Sequence, residues 1–176
     1  MAATSEGLYQ FEGDSAIKIA GTSRTAFVLG VSPKWPKHLF VGLLGGVQIF
    51  KKIGNQWIYV DKLKGITDNI RNITTDQYGD IWLVSDVRGL IRTHFNGASP
   101  ADVDIHYFGK KQGTGDLKVN RLIFDKEKMY LLTSNGLLQS TMQPWQANVL
   151  EDSDAIVFSP DVKIGKSFQN PPTNVQ

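Results

Sequence analysis

The chain has 176 residues, 41% hydrophobic and 20% charged, which describes a globular domain able to bury roughly 70% of its unfolded surface and excludes a disordered or fibrous chain. Its 19 basic and 17 acidic residues leave a net charge of +2, too little for a surface that tracks nucleic-acid phosphates. Cysteine is absent, which excludes disulfides, zinc–thiolate clusters and thiol nucleophiles, and no apolar run reaches the roughly 18 residues of a membrane-spanning helix.

In chain order the predicted elements are short runs rich in Val, Ile, Leu, Thr and aromatics, separated by turn residues. The first is GLYQFEG (7–13), followed by TAFVLGV (25–31), HLFVGLL (38–44) and GVQIF (46–50). Then come IRNITTD (70–76), IWLVS (81–85), LIRTHF (90–95) and VDIHYFG (103–109). RLIFD (121–125), KMYLLT (128–133), GLLQ (136–139) and DAIVFSPD (154–161) complete the series. No stretch sustains a 3.6-residue apolar period, so the chain is all-β. Gly79 and Gly97 suit the positive φ of tight hairpins, Asn135-Gly136 is a strong hairpin signal, and the Asp76 carboxylate can accept turn amides.

The elements repeat. The heptad TSEGLYQ (4–10) returns 129 residues later as TSNGLLQ (133–139), identical at five of seven positions. Glycines 7, 46, 89 and 136 mark equivalent points, spaced 39, 43 and 47 residues apart. An aromatic residue within an apolar triplet precedes each internal glycine: Phe40, Trp82 and Tyr130. Farther upstream, Asp76 and Asp125 end strands of similar composition. Four antiparallel strands in about 40–45 residues are the signature of a β-propeller blade, whereas a β-sandwich would not repeat the same markers in phase.

The expected fold is therefore all-β, a β-propeller built from four-stranded antiparallel sheets, with about three full units and two partial ones. Residues 1–24 form the outer strands of a partial blade, 25–65, 66–115 and 116–152 are blades, and 153–176 hold a partial blade and tail, with 155–161 as an inner first strand. Partial units at both ends read as a piece of a larger propeller, completed by the rest of a parent chain or by a second copy.

Catalytic and metal-binding patterns are sparse. Lys111-Gln112-Gly113-Thr114-Gly115 precedes a strand rather than a helix and does not make a phosphate cradle. His38, His94 and His106 stand singly, the last two on third and fourth strands where a cross-strand structural role is expected. Glu151, Asp152 and Asp154 read as a solvated acidic loop, and Asn72-Ile73-Thr74 as strand. No catalytic residue, metal ligand or cofactor site is assigned. Strand alternation gathers the second hairpins and the blade-entry segments at one end of the sheets, where Asn69, Arg71, Arg88, Asn120 and Arg121 form a candidate ligand-binding set suited to hydroxyls and carboxylates.

Asp76-Gln77-Tyr78-Gly79-Asp80-Ile81-Trp82-Leu83, followed by Gly89-Leu90-Ile91-Arg92, resembles the repeat of the two-component-regulator propeller family. The segment 116–152 matches more loosely, since Lys126-Glu127-Lys128 lacks the glycine, and 25–65 departs further, with Pro33-Lys34-Trp35-Pro36 in the turn. The resemblance implies a periplasmic sensor propeller of a hybrid two-component system, of the kind found in Bacteroides-like bacteria, that detects oligosaccharides and performs no catalysis itself. It places this segment away from nucleic acid and from the membrane. Two other readings stay open. One is a propeller lyase of the streptogramin-inactivating type, whose repeats also carry Gly-x-Ile-Trp and whose chemistry needs a histidine base and a metal. The other is a scaffold propeller whose faces bind protein.

Overall fold

The computed structural model describes residues 1–22, 24–108, 118–125, 128–134 and 136–140, together with the strand Phe158–Ser159. Among these residues there are strands and no helix. Blade 1 consists of β1 (Ala2–Thr4), β2 (Gly7–Glu12) and β3 (Ser15–Lys18). Blade 2 holds β4 (Ala26–Gly30), β5 (His38–Leu43), β6 (Gly46–Ile53) and β7 (Gln56–Lys62). Blade 3 holds β8 (Ile70–Thr75), β9 (Ile81–Ser85), β10 (Gly89–Phe95) and β11 (Val103–Phe108). Blade 4 holds β12 (Val119–Asp125), β13 (Lys128–Thr133), β14 (Gly136–Ser140) and β15 (Phe158–Ser159). Within each sheet, every strand pairs antiparallel with its sequence neighbours.

Alternating side chains send one set of each blade's residues to the blade before it and the other set to the blade after it. Leu8 and Ile19 of blade 1 meet Leu39, Val41 and Phe50 of blade 2. Phe40, Val47 and Ile49 of blade 2 meet Ile70, Ile73, Leu83 and Ile91 of blade 3. Trp82, Val84 and Leu90 of blade 3 meet Leu122, Met129, Leu131 and Leu138 of blade 4. The first strands lie innermost, with β8 against both β4 and β12. This close approach requires glycine: a Cβ on Gly30 would stand 2.2 Å from Ile73 Cγ2. Four-strand meanders stacked face to face about a line of first strands are propeller architecture.

The repeated heptad folds the same way twice. Thr4 pairs with Gly7 and Thr133 with Gly136 across two-residue turns, and each threonine hydroxyl donates to the glycine carbonyl at 2.9 Å. Gly7, Gly46 and Gly136 share φ values of 124°, 127° and 123°, a region that only glycine enters without strain. Gly89 differs, with φ 76°, because Ser85 and Gly89 pair across three residues.

Several expectations need correction. Phe158 and Ser159 do not form an inner first strand of a further blade. They pair with Ser140 and Gln139 as the outer strand of blade 4, filling the ladder along the free edge of β14. Blade 1 has an extra strand, β1, because Ala2–Thr4 turns back along β2. Gly97 does not have positive φ; it is glycine because a Cβ would meet that of Asp102 at 2.8 Å. Phe40, Trp82 and Tyr130 each stand three residues before the paired hairpin residue, Leu43, Ser85 and Thr133. Phe40 and Trp82 are fully buried between blades, but Tyr130 is half-buried, on the face of β13 turned away from blade 3. Asp125 is exposed and pairs with Lys128 in a tighter hairpin than the one following Asp76. The Lys111–Gly115 loop, the acidic residues 151–154 and the tail after 159 lie outside the described residues.

Candidate ligand-binding cleft at the inner-strand bulges

Each complete inner strand begins with a β-bulge. The register shifts between Ala26 and Val28 in β4, between Ile70 and Asn72 in β8, and between Val119 and Arg121 in β12. The extra residues are Phe27, Arg71 and Asn120, so the three occupy equivalent places in successive blades. A bulge turns one side chain out of the pleat without breaking the sheet, which frees it to line a recess. The Arg71 guanidinium lies 3.7 Å over the Phe27 ring, so two of the three bulge residues are stacked.

Beside this stack lies a cleft of about 270 Å³ lined by Arg71, Asp86, Lys118, Val119 and Asn120. Arg71 Nε is 2.8 Å from Asp86 Oδ2, which fixes the guanidinium plane. Among the described residues no hydrogen bond occupies the two terminal nitrogens of Arg71, the Lys118 ammonium or the Asn120 amide. The cleft thus presents two cations and an amide over a single carboxylate, a donor-rich arrangement suited to an anion or a set of hydroxyls.

The other three predicted residues stand apart from this cleft. Arg88 is exposed but already engaged by neighbouring side chains: Nε is 3.3 Å from Asp68 Oδ1, Nη1 donates to Tyr107 Oη at 2.7 Å, and the guanidinium lies 4.9 Å over that ring. Asp68 in turn accepts the Ser85 hydroxyl at 2.7 Å, and Ser85 Oγ accepts the amides of Val87 and Arg88. This network ties the blade-entry segment to the hairpin before Gly89. Asn69 contributes its carbonyl, which accepts Asp86 N at 3.2 Å. Arg121 is exposed on β12 and does not line the cleft. Phe27 was missed because nothing in TAFVLGV reveals that one of its residues is bulged. The signal would have been the alignment of that segment with NIRNI and KVNRL.

The opposite end of blade 3 carries a second polar cluster that belongs to the scaffold. Asp76 Oδ1 accepts the amides of Tyr78 and Asp80, each at 3.0 Å, and Oδ2 accepts Trp82 Nε1 at 2.9 Å. Asp80, fully buried, takes Lys34 Nζ, Arg92 Nη2 and His94 Nδ1, each at 2.7 Å. Burial pushes its carboxyl upward, but the hydrogen bonds from Lys34 and His94 and the charges of Arg92 and His94 outweigh that and hold it below the ordinary carboxylate range. Lys34 comes from blade 2, and Ser32 Oγ donates to Gly79 O at 2.5 Å, so this end is latched across the blade boundary. Among the described residues no three His, Asp or Glu side chains gather in a metal-ligating group.

No family model matches the chain, and neither does any curated protein. Among solved structures it is similar to the β-propeller domain of Cps50 (Swd1) from Myceliophteria thermophila, at 17% identity and a TM-score of 0.49. The match covers 66% of this chain and 37% of that one, so the chain spans about a third of that structure's length.

Proposed function

We propose that the chain is a non-catalytic, ligand-binding propeller segment from the extracytoplasmic, periplasmic part of a hybrid two-component sensor. Its ligand is an oligosaccharide bearing a carboxylate. The observation that carries this reading is the bulge cleft, where Arg71, Lys118 and Asn120 offer unengaged donors around a recess of about 270 Å³. A sugar carboxylate is matched by the two cations, and its hydroxyls by Asn120 and Asp86. The resemblance of 76–92 to the sensor-propeller repeat supports the same reading.

Calorimetric titration with a uronic-acid disaccharide and with its neutral analogue tests it. Saturable binding of the acidic sugar, weakened about tenfold by Lys118→Ala, is expected. The reading fails if a broad panel of acidic disaccharides gives no heat, or if one of them is turned over.

A further inference from the structure

The end of the sheets that holds the bulge cleft carries a second recess, on blade 2. It measures about 220 Å³ and is lined by Arg24, Gly45, Gln48 and Lys62, with the buried Val47 and Ile66 also in its wall.

The backbone sets its cations in place. Leu43 and Gly46 pair across the two-residue turn Leu44-Gly45, where Gly45 has φ 93°. A Cβ on Gly45 would stand 3.0 Å from Arg24 Nη1, so glycine lets the guanidinium lie across the turn, where it donates to Leu44 O at 3.4 Å. Lys62 is the cross-strand partner of Gln48, so both project from the same face of blade 2. Gln48 Nε2 donates to Gly21 O at 3.1 Å, which turns that face toward the segment joining blades 1 and 2.

The charge in the recess is unbalanced. Among the described residues neither Arg24 nor Lys62 has an ion pair. No carboxylate is in the lining. Asp61 alternates to the other face of β7 as the partner of Ile49, and the buried Asp68 is taken up by Ser85 and Arg88. The bulge cleft sets Asp86 against its two cations, whereas this recess presents two cations alone. Such a lining suits an anionic group.

The two recesses are close together. Arg24 stands three residues before Phe27, a backbone span of at most roughly 11 Å. The Phe27 ring in turn carries Arg71 of the bulge cleft at 3.7 Å. A few linked pyranose rings reach from one recess to the other.

We propose that this recess is a second anion subsite, which holds one carboxylate of an acidic oligosaccharide while the bulge cleft holds another. The proposal rests on the acidic-sugar reading of the bulge cleft and adds that the ligand carries at least two carboxylates, on separate rings. Once one recess is filled the second contact is intramolecular, so affinity rises with chain length until both are occupied.

Calorimetric titration of the full chain with a uronic-acid disaccharide, tetrasaccharide and hexasaccharide tests this. The hexasaccharide should bind about tenfold tighter than the disaccharide, with one oligosaccharide per chain. Arg24→Gln and Lys62→Gln, both on exposed side chains, should each weaken hexasaccharide binding about threefold, and the double variant should remove the gain with length. Lys51→Gln deletes the same charge from an exposed position farther along β6 and should leave the gain intact, which separates a local contact from a general loss of charge. If the disaccharide binds and the hexasaccharide binds no tighter, the proposal is overturned and the bulge-cleft reading stands. A gain that survives the double variant, or that falls equally with Lys51→Gln, also overturns it. Absence of binding by all three oligosaccharides overturns both.

Discussion

Trp82 is the residue on which the packing of blades 3 and 4 depends most directly. Its side chain is fully buried, its ring lies 5.4 Å from Phe108 in a stacked contact and 5.8 Å from Phe124, and Nε1 donates to Asp76. Trp82→Ala removes the ring contacts and leaves a cavity, and should cost about 3–5 kcal/mol. Trp82→Phe keeps an aromatic ring near Phe108 but removes a hydrogen bond to a charged acceptor, which is worth about 1.5–3 kcal/mol. Asp76→Ala deprives that donor and two turn amides of their acceptor at once. Because Trp82→Phe and Asp76→Ala delete the same bond, the double variant should be less destabilised than the sum, with a coupling of about 0.5–3 kcal/mol. Urea unfolding followed by circular dichroism and fluorescence gives these values wherever the two transitions coincide. A loss below about 1 kcal/mol for Trp82→Ala, or strict additivity of the pair, would refute the assigned packing.

Three further outcomes are expected. Gly7→Ala should destabilise more than Gly136→Ala although their φ values match, because a Cβ on Gly7 would stand 2.5 Å from Thr22 O while nothing lies within 4 Å at Gly136; chemical denaturation of both variants checks the order. Asp80 is held below the ordinary carboxylate range, so its contribution to stability is complete above about pH 4 and is lost as pH falls through its lowered native value. Stability measured from pH 5 to 2 should therefore fall less steeply in Asp80→Asn than in the parent. His38 is pushed below its usual value, first by burial and then by Lys51, so the unfolded chain takes up that proton first. Stability should decline as pH falls below about 6.5, and His38→Gln should flatten that limb of the melting-temperature profile.

The fold was legible because its periodic signals are local. Glycine at positive φ and an aspartate at the inner-strand turn answer to backbone demands within one blade, and the aromatic residue three places before the hairpin packs toward the next blade, so each marker recurs at a fixed place in its unit. The bulge cleft was legible in part. Arg71 and Asn120 could be placed at the correct end from strand direction, but Arg88 was not separable from them, because its partner Tyr107 lies 19 residues away on another strand. Asp80 escaped notice for the same reason: Lys34, which it holds, is 46 residues away in another blade. Blade 4 ends differently from expectation because an apolar run such as AIVFS suits an inner or an outer strand equally, and only the free edge of β14 decides.

The two ends of blade 3 divide the work in a way that explains why a recognisable motif says little about the ligand. Asp76, Gly79, Asp80, Trp82 and Arg92 spend their polar groups on one another and on the neighbouring blade. These groups serve the latch, and any blade that needs the same latch needs the same residues. The bulge positions are under no such constraint. The backbone holds Phe27, Arg71 and Asn120 in equivalent places whatever the side chain, because the bulge is a matter of register. Aromatic, cationic and amide groups can therefore follow one another around the inner strands without disturbing the sheets. Chemical variety at a fixed backbone position, next to a latched and repetitive opposite end, is the arrangement that lets a propeller change its ligand while keeping its fold.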